Sequence, residues 1–186
     1  MHKTADVPHA NRINWSILIM LFLISIGVQN AYWLTLLNVT NLKGNKFVNG
    51  LLIGIAETVA GFFSGILISY TSSGTAFQAL AVLGIIFNSV IQFGVSDGGL
   101  LAYFSLFFSI IGVAGTYGVL YVLVADSVPT AQVGGVMVLT LAFSYLTVSF
   151  APMVVLVAEP FPYFYTIAML ILSITVSCFL DKSKGR

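Results

Sequence analysis

Long apolar runs separated by short polar breaks dominate the chain. About 20 consecutive apolar residues are needed for a helix to cross the hydrocarbon core of a bilayer, whereas a membrane barrel would show alternating segments of roughly 10 residues. The runs here are continuous and long, so the pattern predicts an all-α, polytopic membrane protein with six transmembrane helices. The predicted spans are Trp15–Val39, Phe47–Tyr70, Thr75–Phe93, Leu100–Ala125, Val133–Val157 and Phe161–Leu180.

The pattern divides the chain into a polar N-terminal leader (1–14), a six-helix membrane domain (15–180) and a basic C-terminal tail (181–186). An even number of spans places both ends on the same side of the membrane. That side carries five Lys and Arg residues, and the opposite side carries two. Because loops rich in Lys and Arg stay on the cytoplasmic side, we predict that both termini face the cytosol or its equivalent.

Composition excludes several classes of protein. Of the 186 residues, 59% are hydrophobic and 7% are charged, whereas soluble domains are about 25% charged. The net charge of +1 offers no basic face for nucleic acid. Both histidines, His2 and His9, lie in the leader, and Cys178 is the one cysteine. With no metal-ligand cluster and no nucleophile beside a base, we expect neither an enzyme nor a metal or cofactor site.

Glu57 is the acidic residue that lies deep inside a predicted span. A charge at that depth costs about 2.5–3.5 kcal/mol on insertion scales and normally faces protein or water. Small residues at intervals of three, four and seven share its helix face, and small-x-x-x-small patterns let helices approach closely. We therefore expect this face to pack on a neighbouring helix, with Glu57 as either a packing carboxyl or a site for a cation or coupling proton. The small residues are Gly50, Gly54, Gly61, Ser64 and Gly65.

Polar and aromatic side chains form stripes in two other spans. Ser25, Gln29 and Tyr32 share a face of the first span, and Tyr117 and Tyr121 lie one turn apart in the fourth. Aromatic faces beside a carboxylate attract an organic cation. With Glu57, these five residues form the predicted substrate-binding site. The alternative for each of them is ordinary packing inside a helix bundle.

Two segments resemble the major facilitator superfamily, in particular its organic cation/anion transporter-like group. The first is residues 31–49, with the loop Asn38-Val-Thr-Asn-Leu-Lys-Gly-Asn45, and it continues to Glu57. The second is Tyr121-Val-Leu-Val-Ala-Asp-Ser-Val-Pro-Thr130, continuing to Pro152. The resemblance covers all six spans and implies the C-terminal six-helix half of a twelve-helix transporter. It implies transport of a small organic ion or solute, with substrate held between two halves.

The resemblance also implies a partner, since one half supplies one wall of a pathway: a second transporter half, a homodimer or a larger membrane complex. The chain departs from the family at its inner loops. The loop 69–76 lacks the usual charges, Pro129-Thr-Ala-Gln-Val133 lacks an Arg that would pair with Asp126, and Tyr145 stands at an often charged position. These departures leave open a non-transporting structural subunit derived from a transporter half. An unrelated six-span channel or scaffold is a third reading.

Overall fold

Helices make up nearly all of the structure, a computed structural model that describes residues 14–39, 45–94, 99–157 and 161–183. The leader up to residue 13 and the tail from residue 184 lie outside the described residues. No strand occurs within the described ranges. The helices are α1 (Trp15–Val39), α2 (Lys46–Tyr70), α3 (Ser73–Gly94), α4 (Leu100–Ala125), α5 (Val133–Val148), α6 (Ala151–Val155) and α7 (Phe161–Ser183), with a short 3₁₀ turn at Thr130–Gln132 before α5.

Six segments are long and apolar enough to cross a membrane, as the sequence predicted. The fifth consists of the 3₁₀ turn, α5 and α6, and each of the others is one helix. The helices end where polar residues satisfy the backbone. At the start of α2, the side chain of Asn45 accepts the N–H of Phe47 at 2.9 Å. At its end, the backbone N–H of Thr71 donates to the carbonyl of Leu67. The polar breaks on either side of α2 therefore supply its caps.

The fifth span differs from the prediction of one continuous helix over 133–157. Its helical hydrogen bonding is interrupted at Ser149 and Phe150, between α5 and α6. Pro152 follows this break and explains it, because proline has no N–H to donate to the preceding turn and its ring clashes there. Just before the break, the side-chain amide of Asn30 on α1 donates to Thr147 Oγ1 at 2.8 Å. The end of α5 is thus fixed to α1, and α6 continues in a separate helical segment.

Helices α1 and α4 form the centre of the bundle. Helix α1 contacts α4, α5 and α7, while α4 contacts α2 and α3 as well as α1. Half of the spanning window of α1 and 61% of that of α4 are buried, against 17% for the windows of α2 and the fifth span. The α2 helix and the α5–α6 segment therefore flank the central pair and leave most of their own surface uncovered by this chain.

The expectation that the glycine face of α2 packs on another helix was wrong within this chain. A Cβ added at Gly50, Gly54, Gly61 or Gly65 would meet nothing within 4 Å. The buried positions of α2 are Asn49, Ala56, Ala60 and Ser64. At 3.6 residues per turn, the centre of this buried side lies roughly 100° around the helix from the glycines. The spacing correctly grouped the glycines on one face, and that face is open, whereas Ser64, which was predicted on the same face, is buried.

A close approach of two helix backbones instead involves α3 and α4. A Cβ added at Gly112 would lie 2.3 Å from the backbone N of Gly84 and 2.6 Å from its Cα. Glycine at these positions lets the helices pack backbone to backbone, as small residues do in other membrane bundles. This crossing fixes α4, and with it the tyrosines that α4 carries on another part of its surface.

Candidate functional site

A hydrogen bond between α1 and α2 defines the centre of the candidate site. The hydroxyl of Tyr32 donates to Oε1 of Glu57 at 2.5 Å. Glu57 is half-buried and lies between the packed side of α2 and its open glycine side. The prediction that this carboxyl faces a neighbouring helix rather than lipid is confirmed by the Tyr32 contact. The contact is also the first link between the polar stripe of α1 and the carboxyl of α2.

No cationic side chain neutralises Glu57 in the part of the chain that the structure describes. That part contains two cations, Lys46 and Lys182, each in a terminal turn of a helix. Lys46 precedes Glu57 on the same helix by about 16 Å along the axis, at 1.5 Å per residue. The hydrogen-bond partner that the structure gives the Glu57 carboxyl is therefore a neutral phenol, that of Tyr32.

Three tyrosines extend the site from α1 onto α4. The ring of Tyr32 stacks on that of Tyr117, with centroids 5.1 Å apart and planes 13° from parallel. Tyr121 meets Tyr117 edge-on, with centroids 5.3 Å apart, and its hydroxyl donates to the Tyr117 hydroxyl at 2.6 Å. Contacts at these separations are typical of favourable aromatic pairs. The result is an aromatic wall that adjoins Glu57.

Gln29 lies behind this wall and has an unusual environment. Its side chain is 0% exposed and adjoins Tyr117 and Tyr145. Neither its amide oxygen nor its amide nitrogen makes a hydrogen bond of standard geometry. Buried polar atoms almost always have a partner, and leaving one without costs about 1–3 kcal/mol. The phenols of Tyr117 and Tyr145 interact with this amide, so it is not isolated in an apolar core.

Tyr145 of α5 was not predicted as a site residue, although the structure places it beside Tyr117 and Gln29. It is 46% exposed, so it lies at the open edge of the cluster. The sequence contained one signal for Tyr145, namely that it stands at a position often charged in the transporter family that the chain resembles. The periodicity of α5 alone does not reveal which neighbouring helix each face meets. With Tyr145, four helices (α1, α2, α4 and α5) contribute to one site, hereafter the tyrosine–Glu57 cluster.

Five of the six predicted site residues come together, and one does not. Gln29, Tyr32, Glu57, Tyr117 and Tyr121 belong to the cluster through the contacts above. Ser25 is wholly buried one turn before Gln29 on α1, with its hydroxyl unpaired. No contact connects it to the tyrosines. Ser25 therefore stays a prediction as a substrate-binding residue, without geometric support.

A second polar group lies at the C-terminal end of α4. The hydroxyl of Ser73, at the start of α3, donates to Oδ2 of Asp126 at 2.7 Å. Beside it, the carboxylate of Asp181 lies against Gly74, where a Cβ would come within 2.5 Å of Oδ2, and Gln78 donates to the same oxygen at 3.4 Å. Neutral donors and close packing thus surround the carboxyls of Asp126 and Asp181.

The tyrosine–Glu57 cluster contains side chains that can recognise a ligand. It offers one anionic oxygen pair, aromatic faces and a primary amide, which together suit a polar organic cation. Among the described residues, no group of His, Cys, Asp and Glu could hold a metal ion. The cluster also has an exposed edge at Tyr145 and a half-buried carboxylate. The cluster is therefore open on the side of Tyr145.

Comparison with known proteins finds no relative of this chain. No protein-family model matches this chain, and no curated protein or solved structure matches it either. The similarity of its motifs to the major facilitator superfamily remains a prediction from the sequence. The six apolar helices are those of a multi-pass integral membrane protein.

Proposed function

We propose that this chain is a half-size, major facilitator-type transporter that moves a small organic ion or solute across a membrane together with a partner half. The observation that carries the proposal is the tyrosine–Glu57 cluster. It draws residues from four helices and lies beside the two spans, the second and the fifth, that this chain covers least. Sites built between helices at mid-membrane are typical of secondary transporters.

The electrostatics of the cluster favour a cation among small organic ions. At an effective dielectric constant of about 20, two unit charges about 5 Å apart attract by roughly 3 kcal/mol. A cation over a tyrosine ring adds about 0.5–2 kcal/mol. Because Glu57 has no cationic neighbour among the described residues, this attraction is free for a ligand. A neutral solute of the same shape would be stabilised only by packing contacts.

The uncovered faces of α2 and α5 support the need for a partner half. Lipid tails can cover the apolar residues on these faces, but they cannot solvate a carboxylate or replace a ligand's hydration shell. Alternating access requires one helix bundle to move against another around a fixed site. A second copy of this chain or a separate chain with a complementary bundle would supply that second wall.

Uptake into proteoliposomes tests the proposal. The probe is radiolabelled choline, and the competitor is its uncharged isostere, in which a quaternary carbon replaces the nitrogen. We expect uptake in vesicles that contain assembled pairs, inhibition by unlabelled choline, and little inhibition by the isostere. Glu57→Gln should abolish uptake while the protein still assembles, and Glu57→Asp should retain part of it. Equal uptake by wild type and Glu57→Gln would contradict the assignment.

A structural, non-transporting subunit is the second candidate function. It is favoured by the neutral contacts of Ser73 with Asp126 and of Gly74 with Asp181, which replace the charged loops expected of a working transporter. Under this reading, Glu57→Gln should be neutral or stabilising, because a costly buried carboxyl has been neutralised. Intact assembly without choline uptake under an imposed ion gradient would favour this candidate.

A further inference from the structure

The first half of α2 carries an open apolar groove that begins one helical turn after a lysine. We propose that this groove binds a phospholipid with an anionic head group, whose phosphate lies at Lys46 and one of whose acyl chains lies along the groove. This binding goes beyond the proposed function and does not depend on transport. It occupies α2 as far as Val59 and leaves the rest of that helix and the fifth span to a partner bundle.

Two neighbouring rows of residues on α2 form the groove. Each row repeats every four residues, as the ridges on a helix surface do. The first row is small and the second is aliphatic, and they consist of Gly50, Gly54 and Thr58 and of Leu51, Ile55 and Val59. The volume of the groove is about 400 Å³. A Cβ added at Gly50 or Gly54 would meet nothing within 4 Å, so no other described helix fills this space.

The chemistry of the groove suits a hydrocarbon chain. Its polar lining residue is Thr58, whose hydroxyl donates to the backbone carbonyl of Gly54 on the same helix at 2.9 Å. This donor is therefore already satisfied, and the other lining side chains are aliphatic or absent. Small residues let another molecule lie close to the helix backbone. An acyl chain can accordingly pack on the glycines without displacing any polar contact.

The length of the groove matches one leaflet of a bilayer. From Gly50 to Val59 it extends about 14 Å along the axis, at 1.5 Å per residue, and half of the hydrocarbon core is about 15 Å thick. A second helix packed on α2 would contact both halves of it. The lining instead ends at Val59, although Gly61 and Gly65 further along are also open. This length favours the acyl chain of a lipid over a helix.

The charge at the start of α2 is complementary to an anionic head group. Lys46 is exposed in the first turn, one turn before Gly50, and the N-terminus of a long helix adds partial positive charge. The described carboxylates lie elsewhere: Glu57 is about 16 Å further along the axis, and Asp126 and Asp181 lie near the opposite end of the bundle. Lysines at the membrane surface attract anionic lipids, and helix N-termini bind phosphate groups.

Native mass spectrometry of the detergent-solubilised protein tests the head-group contact. The probes are equal amounts of dioleoyl-phosphatidylglycerol, which is anionic, and dioleoyl-phosphatidylcholine, which is zwitterionic. One lysine near a head group gives a preference of about fivefold, so wild type should carry about five times more of the anionic lipid. Lys46→Gln should remove this preference, and Lys182→Gln, at the far end of α7, should keep it. Equal adducts on wild type, a preference kept in Lys46→Gln or one lost in Lys182→Gln would overturn the proposal.

A second pair of variants tests the groove itself. Gly54→Leu fills the groove and should lower the adducts of both lipids at least severalfold. Gly65→Leu is the matched control, because Gly65 is equally open but lies outside the groove, and it should bind lipid as wild type does. Unchanged adducts in Gly54→Leu, or an equal loss in both variants, would contradict the assignment.

Two further observations complete the test. A lipid-free wild type of doubled mass that becomes a monomer in Gly54→Leu would show that a second copy of this chain occupies the groove, which would also overturn the proposal. Helical circular dichroism identifies any variant that does not fold. If Gly54→Leu does not fold, the lipid preference of Lys46→Gln decides the result, since an exposed side chain at the helix end can be changed without disturbing the bundle.

Discussion

Substituting Gly112 by alanine tests the helix crossing that fixes the tyrosine-bearing helix α4. The added Cβ would lie 2.3 Å from the N of Gly84, 2.6 Å from its Cα and 2.9 Å from the carbonyl oxygen of Leu80. All three atoms belong to the backbone, so no side chain can rotate away. The clash can be relieved only by separating α3 from α4.

The size of the effect follows from these distances. Ordinary Cβ contacts begin at 3.4 Å, so the two backbones must move apart by about 1 Å along the contact, a shift that weakens the close packing of a protein interior. Overpacking of this kind costs about 1–3 kcal/mol, and the rigid neighbours of Gly112 place it at the upper end. For a chain of this length each kcal/mol lowers Tm by about 2–4 °C. We therefore expect a decrease of about 6–12 °C.

Thermal unfolding of the purified protein in mild detergent measures this, with Gly54→Ala as the matched control. A Cβ at Gly54 meets nothing within 4 Å, and alanine is the better helix former by about 1 kcal/mol. The control should therefore keep or slightly raise the Tm. An unchanged Tm for Gly112→Ala together with a lowered Tm for Gly54→Ala would show that α2, and not α4, makes the close crossing.

Two other experiments test the contact at the start of α3 and the topology. Ser73→Ala removes the donor to Asp126, and since hydrogen bonds to charged groups contribute about 1.5–3 kcal/mol, Tm should fall by several degrees; a wild-type Tm would show that this contact adds no stability. In a Cys178→Ala background, Lys46→Cys and Lys182→Cys should react with an impermeant thiol reagent from opposite sides of sealed vesicles, and labelling of both from one side would refute the six-span arrangement.

The membrane spans could be predicted because length and hydropathy alone determine them. Five of the six predicted spans agree with the observed helices to within three residues at each end. The fifth span shows the limit of that reasoning. Its apolar character is unbroken, so the interruption at Ser149 depends on the backbone chemistry of Pro152, a single residue that hydropathy does not weigh.

The packing of α2 shows a second limit. Residue spacing places Gly50 and Gly54 on one face of a helix, but it does not say which face meets a neighbour within the same chain. Small residues favour close packing both inside a bundle and between bundles. The alanines Ala56 and Ala60, which look unremarkable in an apolar run, are among the residues that the bundle buries.

Part of the candidate site was predictable from the sequence, because polar side chains are rare inside apolar helices. A carboxyl deep in a span and an amide in an apolar helix stand out, so Glu57 and Gln29 were found from the sequence. Tyr145 was missed, because it joins the cluster through the packing of α5 on α1. Ser25 shares the helix face of Gln29 and is buried, and its role in binding stays a prediction.

The central claim, that Glu57 and the surrounding tyrosines bind a small organic cation, is tested most directly by equilibrium binding of radiolabelled choline. The loss of roughly 3 kcal/mol of charge attraction corresponds to about a 100-fold change in affinity. We predict that Glu57→Gln raises the Kd for choline by about that factor, and that the uncharged isostere binds wild type and variant equally weakly. Equal choline affinity of the two proteins, or an isostere that binds wild type as tightly as choline, would contradict the account.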